Sequence, residues 1–312
     1  MSRLSHTRRH APDAATRTGA DLLRLGTARL RRARLAYGHG TEQPVDDAAA
    51  LLAHAKGLKR PLASRDLVRP VPARVAQRFA VLLQRRIRER IPAVYLTQRC
   101  WWAGLPFHVD QRVLVPRSPV AELIESHFAP WVQADAVRRI ADLGTGSGCI
   151  GLACAVYFPA ARVDAVDIDR DALEVARINR AALGLTRRVR LVQADFFGGL
   201  AGRRYDIIVS NPPYVGTAEF NALPPEYGHE PSLALHSGRD GMDAVRVLLH
   251  GAARHLTDEG VLVVEVGNTE ERVRHAFPRV PFVWLSFERG GGGVFLLTAA
   301  QLHGALESGG VG

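Results

Sequence analysis

The sequence predicts an α/β protein: a doubly wound sheet of seven strands, with a small N-terminal helical domain and a β-hairpin linker before it. Three observations carry this prediction. From Ile140 onward, short apolar strand-like runs alternate with amphipathic helical stretches. Before Val94, apolar residues recur at helical spacing instead. Between the two, Val94 to Val115 is rich in aromatic and β-branched residues, broken at Gly104 and Pro106.

Taken in order, residues 1–18 hold several arginines but no apolar core, which excludes a secretory signal and reads as a disordered basic tail. Residues 19–93 form the helical domain. Thr18, with Asp21 three residues on, can cap a helix carrying Leu22, Gly26, Leu30 and Ala33 on one face. Asp46 to Ala55 is a second helix. A third follows Pro72, with Val75, Phe79, Leu82, Leu83 and Ile87 on its apolar face and Arg78, Arg85, Arg86 and Arg88 mostly on others. Residues 94–118 are the hairpin linker, closed by Pro116 and Pro119. Residues 119–302 form the second domain, with strands expected at 138–143, 162–168, 189–193, 206–210, 260–266, 282–287 and 293–298. The last stretch, 303–312, reads as a flexible tail.

Composition narrows the function classes. At 312 residues, 47% of them hydrophobic, the chain can bury a large core and a smaller one. The longest uncharged apolar stretch, about Ile150 to Pro159, is far short of the roughly 20 residues of a membrane-spanning helix. No membrane association is expected. Cys100, Cys149 and Cys154 show neither metal-ligand spacing nor disulfide-scaffold density, which points to buried thiols in a reducing compartment and hence to the cytoplasm. The twelve histidines have no ligand spacing either, so no metal is expected and His229 reads as a hydrogen-bonding loop residue. Charge is uneven: residues 1–95 hold 20 of the 41 Lys and Arg against seven Asp and Glu. Such a basic module fits an RNA partner, through release of condensed counterions, or a solvated basic face. The sequence leaves both open.

Chemistry begins at Ile140-Ala-Asp142-Leu-Gly144-Thr145-Gly146-Ser147-Gly148, where a buried strand enters a turn with glycines at alternate positions and then a helix. Glycines let a ligand approach the backbone closely, and the spacing is not that of a phosphate loop. After the next strand, Asp167 stands where a carboxylate can accept from both hydroxyls of a ribose. After the third, Asp195 offers an acceptor for an exocyclic amine, and Phe196 an aromatic cover for a base. In this order they outline a nucleoside pocket. The fourth strand runs into Asn211-Pro212-Pro213-Tyr214, where two prolines force the chain to turn. The Asn211 side-chain oxygen and the Pro212 carbonyl then make a rigid acceptor pair for the two hydrogens of an –NH₂ group, with Tyr214 against its flat face. An amide nitrogen is a poor nucleophile until its hydrogens are held and its developing positive charge is accommodated, and two fixed acceptors do both.

Asp142 to Gly148, Asp167, Asp195 and the Asn-Pro-Pro-Tyr run resemble the class I S-adenosylmethionine-dependent methyltransferases that modify glutamine amides, which have a Rossmann-like methyltransferase sheet. The resemblance covers about residues 36–302. Tyr37-Gly-His-Gly-Thr41, Tyr95-Leu-Thr97, Val113-Leu-Val-Pro-Arg117-Ser118-Pro119, His229-Glu230-Pro231 and Glu265-Val-Gly-Asn268 resemble the branch acting on ribosomal protein L-three. The sister branch, acting on peptide chain release factors, typically continues Pro-Arg with Pro-Asp-Thr-Glu, whereas Arg117 here is followed by Ser118-Pro119. The resemblance implies that Gly144 to Gly148 hold the methionine part of S-adenosyl-L-methionine, Asp167 its ribose, and Asp195 with Phe196 its adenine. It implies that Asn211, Pro212 and Tyr214 hold the glutamine amide. It also implies that the helical domain helps to recognise the protein substrate, which the basic charge suits if that substrate neighbours ribosomal RNA. Two other classes compete. A nucleic-acid adenine methyltransferase meets the same demand at nitrogen but wants a base-recognition domain, which is not apparent. A non-catalytic ribosome-assembly factor has no need of an intact Asn211 to Tyr214.

Overall fold

The computed structural model describes residues 17–311. The expected basic tail lies, up to residue 16, outside them. Two compact units emerge: one contains residues through Tyr37 together with Thr41–Thr97, the other Gly38–Gly40 together with the chain from Gln98 onward.

The first unit is helical. Its first helix, α1 (Gly19–Arg32), starts where the Thr18 hydroxyl accepts from the Asp21 N–H at 3.2 Å and the Asp21 carboxylate accepts from the Thr18 N–H at 2.9 Å. This reciprocal cap satisfies two amides that the first turn leaves free. Next come α2 (Pro44–Ala55), with its proline in the first turn, α3 (Ser64–Leu67), α4 (Ala73–Arg88) and α5 (Ala93–Thr97). Leu22, Leu30, Leu51, Leu52, Phe79 and Leu83 are buried in one core, each contributing roughly 1.5–3 kcal/mol on leaving water. Gly26 is glycine because a Cβ there would come within 2.6 Å of the Phe79 ring. Arg86 departs from the solvated role its position implied. It is 1% exposed, bonded through Nε to Asp47 at 2.6 Å, and stacked 5.6 Å from the centre of the Tyr37 ring.

The linker is shorter than its composition implied. Val94 to Thr97 belong to a helical turn, opened by Pro92, whose carbonyl accepts from the Tyr95 and Leu96 N–H groups. The hairpin itself pairs β1 (Cys100–Trp102) with β2 (Leu105–Phe107). Its two-residue turn places Ala103 at φ 47° and Gly104 at φ 70°, the positive pair that matches strand twist in a tight hairpin.

The second unit holds a seven-stranded sheet: β3 (Arg139–Leu143), β4 (Arg162–Asp167), β5 (Val189–Gln193), β6 (Tyr205–Ser210), β7 (Leu256–Glu265), β8 (Val283–Trp284) and β9 (Val294–Thr298). All seven expected strands are present. The sixth shrinks to two residues, and β7 begins four residues early. The order is β5-β4-β3-β6-β7-β9-β8, with β9 antiparallel to both neighbours. The helices are α6 (Val120–Glu125), α7 (Cys149–Tyr157), α8 (Arg170–Ala182), α9 (Thr217–Phe220), α10 (Asp243–Ala252), α11 (Glu270–Ala276) and α12 (Ala299–Glu307). The chain leaves β3 for β4 and β5 on one side, then returns to β6 on the other, and such a switch opens a crevice at the carboxyl ends of the strands.

The expected C-terminal tail from 303 is helical through Glu307. Thr298 and Gln301 cap α12 reciprocally, and Leu302, Ala305 and Val311 are buried against the sheet core. Cys100, Cys149 and Cys154 are buried, free thiols. Among the described residues, no helix is long and apolar enough to cross a membrane, and no group of His, Cys, Asp or Glu could hold a metal ion.

Candidate functional site

β3 ends in the glycine turn, where Gly144, Gly146 and Gly148 have φ of 72°, 53° and 82°. Side chains with a Cβ avoid this left-handed region, which is why glycine recurs at alternate positions. Gly148 is further confined, since a Cβ there would meet Leu152 at 3.0 Å and Ala176 at 3.2 Å. Beneath the turn, one Asp142 oxygen accepts from the Thr145 hydroxyl at 2.5 Å and from the Gly151 N–H at 2.8 Å. This carboxylate is completely buried, and burial raises its pKa to about 6. Asp142, expected as a cofactor contact, braces the turn through that oxygen, which ties β3 to the turn at Thr145 and to α7 at Gly151, while its other oxygen is buried with no partner among the described residues.

Asp167, at the end of β4, accepts from the Gly146 N–H at 2.7 Å through one oxygen and from the Asp169 N–H at 2.9 Å through the other. Burial raises its pKa against those two bonds. It faces the cleft while fixing the middle of the glycine turn. Asp195 and Phe196 follow β5, and Phe196 has φ 40°, a strained backbone for a bulky residue. Gly144, Thr145, Gly146, Ser147, Asp167, Asp195, Phe196 and Asn211 line one cleft. Gly148, Pro212 and Tyr214 border it without lining it.

β6 delivers the second turn. The Ser210 hydroxyl donates to the Leu143 carbonyl at 2.7 Å, locking the two turns together across adjacent strands. Asn211 follows, and its Oδ1 is buried with no hydrogen-bond partner among the described residues. A buried amide oxygen without a donor costs on the order of 1–3 kcal/mol, so its persistence calls for an explanation. Tyr214, by contrast, is held on every side. Its hydroxyl donates to Glu265 Oε1 at 3.4 Å, its carbonyl accepts from the Thr269 hydroxyl at 2.7 Å, and a Cβ on Gly267 would come within 2.7 Å of its ring. Burial pushes the Tyr214 phenol up, and likewise the Glu265 carboxyl, whose Oε2 has no partner among the described residues.

The structure adds a component that the sequence did not assign. Arg117 forks onto Glu230, Nη1 to Oε1 at 2.5 Å and Nη2 to Oε2 at 3.0 Å, with the Glu230 side chain fully buried. Glu230 also accepts from the Val115 N–H at 3.4 Å, and the Arg117 guanidinium lies 5.6 Å from the centre of the Tyr227 ring. Glu230 thus braces its loop. The fork joins residues 113–118, one wall of the cleft, to the loop carrying Pro231, Leu233 and Ala234 on another. Opposite charges in Pro-Arg-Ser-Pro and His-Glu-Pro were the available signal, but 113 residues separate them. Ser118 is pinned from behind, its carbonyl accepting from Trp102 Nε1 at 3.0 Å. Of the two hairpin tryptophans, Trp102 is buried and Trp101 exposed. His229 meets Gln111 in a loop hydrogen bond at 3.1 Å.

Residues 124–223 match the methyltransferase small domain, and residues 21–97 match the PrmC N-terminal domain. Three curated relatives span nearly the whole chain, each a ribosomal protein uL3 glutamine methyltransferase. The protein from Xanthomonas campestris is 45% identical, covering 90% of this chain and 91% of its own. That from Bordetella pertussis is 46% identical, covering 91% and 95%. That from Neisseria meningitidis serogroup B is 44% identical, covering 91% and 94%.

Proposed function

The chain belongs to the ribosomal protein uL3 glutamine methyltransferase family, and we propose that it transfers the methyl group of S-adenosyl-L-methionine to the side-chain amide nitrogen of a glutamine in uL3, in the cytoplasm. The observation that carries the reading is the buried, unpartnered Asn211 Oδ1 at the edge of a cleft whose other edge is the glycine turn. An orphaned acceptor is matched by a ligand with N–H donors to spare, and a primary amide has two.

The glycine turn and Asp167 fit S-adenosylmethionine: the φ-positive glycines bring backbone close to a ligand, and Asp167 keeps lone pairs free beyond the two bonds it accepts. When bound, that cofactor supplies an electrophilic methyl on a sulfonium. The remaining work falls to the chain. Asn211 Oδ1 and the Pro212 carbonyl take the two amide hydrogens and turn the nitrogen lone pair toward the methyl group. As the N–C bond forms and the S–C bond breaks, positive charge grows on nitrogen, and both acceptors stabilise it. The extra proton then leaves to water. Tyr214, held rigidly from behind, offers its ring as a flat support for the amide. Asp195 and Phe196 are assigned to the adenine. The basic residues within 1–95 suit a substrate that neighbours ribosomal RNA.

Incubation with labelled S-adenosylmethionine tests the reading against three substrates: uL3, a peptide chain release factor and an adenine-containing RNA. One methyl on a uL3 glutamine, located by mass spectrometry, is the expected result. Label on the release factor or on adenine, with none on uL3, overturns it.

A further inference from the structure

The opposite end of the sheet carries a feature that this chemistry does not use. β3 and β4 begin with Arg139 and Arg162, which are register partners, and β5 brings Arg190 beside Asp164. Arg180, Arg187, Arg188 and Arg203 join them around one cleft whose lining contains no acid besides Asp164. The strands that open with these arginines end in Leu143 and Asp167, so the basic cleft lies about 16 Å along the sheet from the reaction cleft, at roughly 3.3 Å per residue. That is beyond any direct contact with a cofactor.

Partners within the cleft are few, and already committed. The Asp164 carboxylate receives Arg190 Nε at 2.7 Å, Arg203 Nη1 at 3.1 Å and the Tyr205 hydroxyl at 2.7 Å. Arg188 is held by the carbonyls of Ala155 and Phe158. Arg180 donates to the Val189 carbonyl at 3.1 Å, but its Nε is buried with no partner among the described residues. Arg139, Arg162 and Arg187 are exposed and have no carboxylate partner among the described residues. Like charges on adjacent strands repel, and a buried guanidinium donor left unpaired is costly. Both features are relieved together by an anion.

We propose that this arginine cleft binds the phosphate backbone of RNA. Guanidinium forks match phosphate oxygens two at a time, and the cations form a row across the starts of three strands rather than a cage around a single ion. No aromatic side chain lines the cleft, so bases have nothing to stack on and contact is to the backbone, independent of sequence. The identity of that RNA as ribosomal rests on the uL3 reading above. The cleft anchors the RNA of the particle carrying uL3 while the far edge of the sheet works on the glutamine.

The full chain carrying Arg139→Gln, Arg162→Gln and Arg187→Gln together tests this, with a fluorescently labelled RNA hairpin titrated at several salt concentrations. RNA affinity is expected to fall at least about tenfold, and the slope of log affinity against log salt to lose about 2 to 3, near 0.9 for each phosphate contact. Thermal melting and methylation of a short glutamine peptide are expected to be unchanged, and lysines at the same three positions to restore most of the slope. Arg162→Gln alone, expected to lose about one in slope, serves if the triple variant melts early. An unchanged affinity and slope overturns the proposal, as does weakened binding to phosphatidylserine vesicles with RNA binding intact. RNA binding is read without any methyl transfer, so a wild-type protein that leaves uL3 unmodified sinks the function proposed above and leaves this result standing.

Discussion

Two turns leave the same edge of the sheet from adjacent strands, β3 and β6, and treat most of their polar atoms differently. In the glycine turn the carboxylates hold the backbone: one Asp142 oxygen holds Thr145 and Gly151 while its other is buried with no partner among the described residues, and Asp167 holds Gly146 and Asp169. In the Asn-Pro-Pro-Tyr turn the Asn211 oxygen is buried with no partner among the described residues, while Tyr214 behind it is bonded and packed. The closed turn spends its hydrogen bonds on a fixed backbone shape. The open one carries an unmet acceptor in a fixed place, which is what a group acting on a transient charge needs. A closed residue that is removed weakens folding and binding together. An open residue that is removed spares the fold.

The largest expected effect is therefore at Asn211. Asn211→Ala removes an oxygen that holds nothing in the folded chain, so the melting temperature stays the same or rises slightly. Cofactor affinity, by calorimetric titration, stays near wild type. Turnover falls by at least about a hundredfold, as when one preorganised acceptor is lost from a transition state. Single-turnover methylation at the wild-type rate would break the contrast between the turns.

Asp167 comes next and behaves differently. Asp167→Ala leaves the Gly146 and Asp169 amides without their acceptor, so stability falls by about 1–3 kcal/mol in the same variant that loses about 10- to 100-fold in cofactor affinity. Denaturant unfolding and calorimetry, run in parallel, check this. A loss of affinity with no loss of stability would make Asp167 a pure ligand and move it to the open group.

How far the sequence reveals this depends on distance along the chain. The glycines, Asp167, Asp195 and Asn211 were legible because each sits at the end of a strand, where a few local residues dictate the turn. Asp142 was legible as part of the site, but its hold on Thr145 and Gly151 was not. β3 is buried on both faces, so alternation gave no clue to which way its carboxylate points. The capping pair Thr298 and Gln301 is present in the sequence, and the reading of residues 303–312 as a flexible tail passed over it. The Arg117–Glu230 fork joins segments 113 residues apart, and only the fold brings them together. The arginine cleft was hidden further. Residues 96–312 carry 21 basic against 24 acidic residues, a balance that conceals seven arginines brought together around one cleft by the fold.

The smallest effect sharpens the contrast at the member that shares features of both groups. Tyr214 belongs to the open turn by position and to the closed group by its bonds. Its hydroxyl reaches Glu265 Oε1 only at 3.4 Å, near the limit for a hydrogen bond, so the bond contributes at most about 1 kcal/mol. The ring is what Gly267 packs against and what the amide plane would lie on. Tyr214→Phe keeps the ring, and its stability is expected to stay within about 1 kcal/mol of wild type and its turnover within about fivefold, since 1.4 kcal/mol is a factor of ten in rate. Tyr214→Ala, which removes the ring, is expected to lose considerably more in both. A hundredfold loss in Tyr214→Phe, with stability intact, would place the hydroxyl itself at the reacting nitrogen and make the pair Tyr214 and Glu265 part of the chemistry.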